Sequence, residues 1–511
     1  MDLRMRSWAY PVLWTLLLAL LWFTTGCGGG SSAASLPVQD AEGLPPDSGV
    51  DNAGAVTVNE WNPDDFQHVY DVGPGHTYSD PGQIPWEDLP PSTLVRIYYR
   101  DEPYRCKWVV TTAATAQEPL VILGMADSGR LPVISGDGAV TRSSLYYLNE
   151  SRSVVKIGNY TGDAAADGPA HVYLQNLEIR SGRPGYTFTD RYGAIQAYSS
   201  NAAAVHIEQG DHITIQGCAL HDCGNGLFNS HLTGSILIRQ NYIYDNGIEN
   251  SIYEHNSYTE SRGIVFEYNH YGPLRANCPG NNLKDRSSGT VIRYNWIESG
   301  NRQLDLVETD YADIADDPAY DATFVYGNVL IEPDDAGNSQ ILHYGGDGDD
   351  ETMYRQGTLY FYHNTVVSTR SGNTTLMRLS TTLVHAQVFN NILAVDAGGD
   401  TLAITSGDGQ TTLSGNWLPV GWRLTHESSL APGAGVIDLG NVEGSDPGFA
   451  DPAGQDFHLT AGSQARDAAG ELPAQTAGYL PDDQYLVHQQ GEERPADGRP
   501  DIGAFEFMSS E

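Results

Sequence analysis

Lysine is rare in this chain: Lys107, Lys156 and Lys284 are the only three among 27 Lys plus Arg. The third sits in "NNLKDR" (281–286), two positions before Arg286. The next polar run, "NRQLDLVE" (301–308), brings Arg302, Gln303, Asp305 and Glu308. "IYEHNSY" (252–258) supplies Glu254, His255, Asn256 and Tyr258, and "YNHYGPLR" supplies Tyr271. "QILHYGG" (340–346) and "LMRLST" (376–381) add His343 and Arg378. These residue types suit proton abstraction next to a carboxylate. A base takes the proton, a cation stabilises the enolate, and an acid protonates the leaving oxygen. An amine becomes such a base when burial or a nearby guanidinium lowers its pKa. Lys284, Arg286, Asp305, Arg302 and His255 are therefore the candidate catalytic groups. Asn256, Tyr258, Tyr271, Asn282, Gln303, His343 and Arg378 are candidate substrate contacts, with the tyrosines as platforms for sugar rings. Glu254 and Glu308 are candidate metal ligands. A second chemistry, glycoside hydrolysis, needs two carboxylates about 5–10 Å apart. Asp305 and Glu308, with Glu254 or Asp285, are the carboxylates for it.

The elements that must position these groups are repeated ones. A short β-rich run, then a polar residue, then one or two apolar positions recurs along the chain. It reads "VYLQNLEI" at Asn176, "ITIQGCAL" at Cys218, "ILIRQNYI" at Asn241, "IVFEYNHY" at Asn269 and "TVIRYNWI" at Asn295. It continues as "TFVYGNVL" at Asn328, "LYFYHNTV" at Asn364, "AQVFNNIL" at Asn391 and "TLSGNWL" at Asn416. From Cys218 onward the spacing is about 23 to 36 residues. Each unit holds two or three short strands split by Asn, Gly and Asp turns. No unit can bury its apolar face alone, but stacked units can, which predicts a solenoid. Asparagine tolerates left-handed backbone, and stacked asparagines can bond along the axis at the bend. Strand alternation turns Leu283, Leu304 and Leu306 inward and Asn282, Lys284, Gln303 and Asp305 outward. Coils about 4.8 Å apart then align the outward residues in one polar row.

The whole-chain numbers set limits. A chain of 511 residues with net charge −38 repels DNA, RNA and anionic membranes, so no nucleic-acid partner is expected. No nucleotide or organic cofactor is expected either. Calcium is a candidate cofactor, from Glu254 and Glu308 and from the acidic loop "GGDGDDET" (345–352), whose other reading is a solvated loop. The insertion "DYADIADDPAYD" (310–321) carries the same two readings. Cys106, Cys218, Cys223 and Cys278 are available for disulfides in an exported protein, and "CALHDC" offers a pair across a turn. His221 lies between those two cysteines but lacks a second ligand pair for zinc.

Three resemblances add expectations. Arg4 and Arg6 precede the apolar run "WAYPVLWTLLLALLWF", followed by "TTGC", which resembles a bacterial lipobox. That implies a signal peptide over 1–26, a lipid on Cys27, and membrane contact through that lipid alone, at the outer membrane or cell surface. "GGGSSAAS" begins a flexible tether over 27–60. From about residue 90 to 507 the chain resembles the right-handed parallel β-helix superfamily that includes pectate lyases. Its opening coils look like "STLVRIYYRDEPYRCKWVVT", and its closing segment looks like "SDPGFADPAGQDFHLTAGSQARDAAG" with "RPDIGAFEF". The expected fold is thus all-β, with a parallel β-helix over 61–425 and a β-rich C-terminal capping segment over 426–511. "NNLKDRSSGTVIRYNWIESG" is similar to the lysine-bearing strand of the alginate and chondroitin lyases of that superfamily. The resemblance implies that Lys284 is the base. The arginine those lyases carry at the end of the next strand is absent from "LDLVE". The function expected is a surface-anchored, monomeric protein that degrades a uronic-acid polysaccharide as a lyase. The alternatives are a glycoside hydrolase on the same scaffold and a non-catalytic glycan-binding or adhesive lipoprotein.

Overall fold

The computed structural model describes residues 61–158, 168–496 and 498–508. The signal, the tether and Cys27 lie outside them. Two 13-stranded sheets and one 11-stranded sheet run the length of this unit, and nearly all neighbouring strands in them are parallel. Each of the middle coils gives one strand to each sheet. The coil that follows Lys284 contributes Ser288–Arg293 to the first sheet, Trp296–Glu298 to the third and Leu304–Leu306 to the second. The fold is a parallel β-helix. Thirteen stacked strands make a surface on the order of 60 Å long, enough for an extended polymer.

The bends between the first and third sheets explain the repeated asparagines. Asn241 Nδ2 donates to Asn269 Oδ1 at 3.0 Å, and the chain of bonds continues through Asn295, Asn328, Asn364, Asn391 and Asn416 to Asn441 at 2.9–3.0 Å. Each ladder oxygen also accepts the backbone N–H of the asparagine one coil earlier, as Asn328 Oδ1 does from Asn295 at 2.9 Å. Cys218 stands at the next rung and donates its N–H to Asn241 Oδ1 at 3.0 Å. The left-handed residue is not the ladder asparagine, as expected from its type, but the residue before it. Gln240, Tyr268, Tyr294, His363 and Asn390 all have φ between 49° and 56°. A left-handed non-glycine residue costs about 1–2 kcal/mol. The ladder bonds, each worth about 1 kcal/mol net and more if left unmade, offset that.

Parity holds in the middle of the second-sheet strands. Leu283, Leu304, Leu342 and Met377 are paired in register and buried in the core. Two residues on, Asp285 is also inside and fully buried. It accepts hydrogen bonds from Thr259, Ser287 and Thr290 at 2.7 Å and from Arg355 at 3.1 Å. Arg355 is fully buried as well, and the pair is an interior ion pair below the second sheet.

The stacking runs past the boundary expected at 425. Gly435–Asp438 pairs with Gln410–Ser414, and Val442–Gly444 with Trp417–Pro419. The segment beyond it runs back along the outside of earlier coils. Gly503 N–H donates to Asn390 O at 2.9 Å, Tyr268 hydroxyl donates to Asp483 at 2.7 Å, and Gln489 reaches Gln240 O at 2.9 Å. Trp296 and Trp417 pack under it with Phe457, Tyr485 and Phe505. The four cysteines of the described residues are buried free thiols, so "CALHDC" forms no bridge.

Candidate functional site

The outer row of the second sheet places the expected side chains in register. Tyr258 lies beside Lys284, Lys284 beside Asp305, Asp305 beside His343, and His343 beside Arg378. Asp305 is the hub. It accepts from Asn281 Nδ2 at 2.7 Å, Lys284 Nζ at 2.9 Å and His343 Nδ1 at 3.0 Å, with Arg302 Nη1 at 3.7 Å. A cleft of about 580 Å³ opens over this row. Phe228, Tyr253, His255, Tyr258, Lys284, Arg286, Arg302, Asp305 and Glu308 are among its lining.

The electrostatics follow from burial and pairing. Burial alone would raise the Asp305 carboxyl, but the His343 bond and the Lys284 ammonium outweigh it and hold its pKa well below the usual range. Lys284 is therefore engaged with a fixed anion and is not the free amine a base requires. Burial and the Lys284 charge push His255 down to about 3, so its ring is neutral. Its Nδ1 accepts the Asn281 N–H at 2.9 Å, which leaves the proton on Nε2. Burial raises the Tyr258 hydroxyl to about 12 despite the nearby Arg286. The Tyr258 ring centroid lies 5.9 Å from Lys284 Nζ and 5.4 Å from the Arg286 guanidinium carbon. Arg286 is tied to Asp310 at 2.6 Å and Arg302 to Gln340 at 2.9 Å. Among the described residues the buried Nε–H of neither arginine has an acceptor.

Several expected contacts fall elsewhere. Asn256, Asn282 and Gln303 are fully buried, not outward. They sit at the corner leading into the second sheet and bind backbone carbonyls there: Asn256 and Asn282 donate to Gly272 O, and Gln303 donates to Ile331 O. Asn256 and Asn282 also bond each other at 2.8 Å, which makes a second asparagine rung. Tyr271 is a core residue whose hydroxyl meets Ser257 Oγ at 3.0 Å. His343 is on the row but its side chain is fully covered. Arg378 is half-exposed beyond the cleft and paired with Asp347 at 3.4 Å. Asp285, enclosed with Arg355, is not available as a hydrolase carboxylate.

The candidate metal ligands both line the cleft but do not converge. Glu254 is bonded to Ser251, and Glu308 accepts the Asp347 N–H at 3.1 Å. Among the described residues no group of three His, Cys, Asp or Glu side chains gathers as a metal site. The residues as placed do not fit a calcium site built on Glu254 and Glu308.

Tyr253, a sugar-ring platform expected from "IYEHNSY", lines the cleft, and so do Asn281, Phe228 and Asp347, which the sequence reading does not single out. Asn281 was signalled by the doubled asparagine in "GNNLKDR". A larger cavity of about 1260 Å³ lies under the C-terminal segment, lined by Leu472, Pro473, Pro481 and Arg494. Its Arg494 is consumed by Glu506 at 2.7 Å, so the cleft on the second sheet is the stronger chemical site.

No family model and no curated protein sequence matches this chain. Among solved structures, pectate lyase Pel9A is similar at 12% identity with a TM-score of 0.44, over 87% of this chain and 97% of that one. An alginate lyase from Paenibacillus sp. is similar at 11% identity with a TM-score of 0.35, over 70% and 95%. A family 28 exopolygalacturonase from Yersinia enterocolitica is similar at 9% identity with a TM-score of 0.38, over 72% and 78%. These are likenesses of the solenoid, and no residue role is taken from them.

Proposed function

We propose that this β-helix binds a uronic-acid polysaccharide in the second-sheet cleft and cleaves it by β-elimination. The observation that carries the reading is the convergence of Lys284, Arg286 and Arg302 with Tyr258 in one cleft of a chain whose net charge is −38. Cations gathered in the cleft, beside its own carboxylates Glu254, Asp305, Glu308 and Asp347, suit a substrate carboxylate.

In this reading the ammonium of Lys284 and the two guanidiniums neutralise the carboxylate and so acidify the adjacent C–H. Asp305 positions Lys284 through their ion pair at 2.9 Å. The Tyr258 hydroxyl has no hydrogen-bond partner among the described residues and can move a proton. As phenolate it takes the proton next to the carboxylate, and as phenol it returns one to the leaving glycosidic oxygen. His255 donates its Nε2–H to the substrate. This replaces the role that the resemblance to alginate and chondroitin lyases implies for Lys284, because an ion-paired ammonium has no lone pair. The hydrolase alternative needs a protonated carboxyl in the cleft; Asp305 is held as the anion, which leaves that role to Glu254 or Glu308.

The test is incubation of the full chain with alginate, pectate and glycosaminoglycans, with and without EDTA, followed by mass spectrometry. The expected products carry a double bond and are lighter by one water than hydrolysis products. Saturated products would replace elimination by hydrolysis. Binding without any product would leave a glycan-binding protein, and loss of elimination in EDTA would restore a metal to the mechanism.

A further inference from the structure

The outer row does not end at Asp305. On the far side of His343, Ser380 Oγ lies 2.7 Å from His343 Nε2. On the near side, His343 Nδ1 lies 3.0 Å from Asp305 Oδ1. Asp305 is held as the anion and can only accept, so His343 Nδ1 donates to it and Nε2 is the nitrogen that faces the serine hydroxyl. We propose that Ser380, His343 and Asp305 form a nucleophilic triad, and that this protein also removes O-acyl groups, such as acetyl esters, from its substrate.

Three features of the surroundings support a nucleophile rather than a buried hydroxyl. Ser380 directly follows the strand Thr374–Leu379 and is half-exposed, whereas His343 and Asp305 are covered. The Thr381 backbone N–H, next along the chain, donates to nothing among the described residues. It is free to receive the oxyanion that forms when Oγ attacks a carbonyl. Gly345, with φ +130°, lies against the serine, and a Cβ there would come within 2.7 Å of Ser380 Cβ and 3.2 Å of its Oγ. The site is built around the serine with no room for a side chain at 345.

The steps balance with water as the only co-reactant. Ser380 Oγ bonds to the acyl carbon while His343 Nε2 takes its proton, and Asp305 stabilises the imidazolium. The bond from the acyl carbon to the sugar oxygen breaks, and the sugar hydroxyl leaves with the proton from Nε2. Water, deprotonated by the same nitrogen, then releases the carboxylic acid and restores the serine. The triad stands on its own geometry; only the choice of a glycan ester rests on the reading of the neighbouring cleft.

The test treats the full chain with a fluorophosphonate probe and reads the adduct by peptide mass spectrometry, alongside hydrolysis of p-nitrophenyl acetate. A single adduct on Ser380 is expected, and Ser380→Ala should abolish it and slow ester hydrolysis by about 1,000-fold or more. Should that variant fail to fold, Ser380→Cys keeps the seat and should be alkylated by iodoacetamide at neutral pH well before the four buried thiols. No adduct on the folded wild-type protein, or an adduct at another serine, would overturn the triad and leave His343 as a strut for Asp305. Labelled protein that is inert on every polysaccharide would keep the triad and sink the elimination reading; unsaturated products without label would do the reverse.

Discussion

Replacing Asp305 by asparagine removes the one anion on which the row is organised, and the structure sets the size of the effect. The carboxylate accepts from Asn281, Lys284 and His343 at 2.7–3.0 Å, and its side chain is 2% exposed against 15% for Lys284. Removing one partner of a buried ion pair costs about 3–5 kcal/mol. Lys284 lines the cleft, so water can share its charge, and about 2–4 kcal/mol is expected for Asp305→Asn. Lys284→Met strands the anion instead, but His343 and Asn281 still hold it, so about 1–3 kcal/mol is expected there. The double variant should cost less than the sum by about 1.5–3 kcal/mol, since neither charge is then left alone.

The assay is urea unfolding by circular dichroism. Hydrogen exchange over Leu283–Asp285 and Leu304–Leu306 should report the loss locally, because a solenoid can open coil by coil. The acid dependence has a definite sign. A carboxyl held below its ordinary pKa contributes stability that is fully present above the unfolded value, near 3.9, and is lost as pH falls toward the folded one. The gap between wild type and Asp305→Asn should therefore be constant above about pH 5 and shrink below about pH 4. A loss under about 1 kcal/mol with coupling under about 0.5 kcal/mol would refute the hub.

Other consequences are equally concrete. Tyr258→Phe should lower elimination at least about 100-fold while polymer binding is retained, and the wild-type rate should climb into the alkaline range because burial raises that hydroxyl to about 12; an unchanged rate in the variant would remove Tyr258 from the chemistry. His255 is held neutral down to about pH 3, so the unfolded chain binds a proton that the folded one refuses, and stability falls as pH drops below about 6.5. His255→Gln should flatten that slope by up to about 1.4 kcal/mol per pH unit, read as urea midpoints across pH. Asn328→Ala strands the Asn295 N–H and the Ile292 carbonyl in the interior and should cost about 3–5 kcal/mol. Asn441→Ala, at the partly exposed end of the ladder, should cost about 1 kcal/mol in the same unfolding experiment, and equal losses would mean that the ladder is not cooperative.

The repeat, the parallel solenoid and the outer row were legible in the sequence because each depends on a local period. Alternation about Leu283 and Leu304 put Lys284 and Asp305 outside. Carried one step further, the same alternation would have put Asp285 inside, where it is found. It failed at Asn256, Asn282 and Gln303 because those residues stand at corners, where the backbone is not pleated and its carbonyls need donors. An amide side chain meets that need from inside, so parity counted from the strand gives the wrong face. Tyr271 failed for a different reason. Its strand, His270–Tyr271, has two residues, and nothing in that alternation says which one enters the core. The pairings that give the site its character were beyond any local period. Lys284 and Asp305 are 21 residues apart, Asp305 and His343 are 38, and His343 and Ser380 are 37. Those separations are set by loop insertions between coils, which shift spacing in the sequence without shifting register in the sheet. A coil count, rather than a residue count, is what brings a serine in "LMRLST" to the histidine in "QILHYGG". Chemistry on this scaffold is written down the stack, one residue per coil, which is why no compact motif marks it.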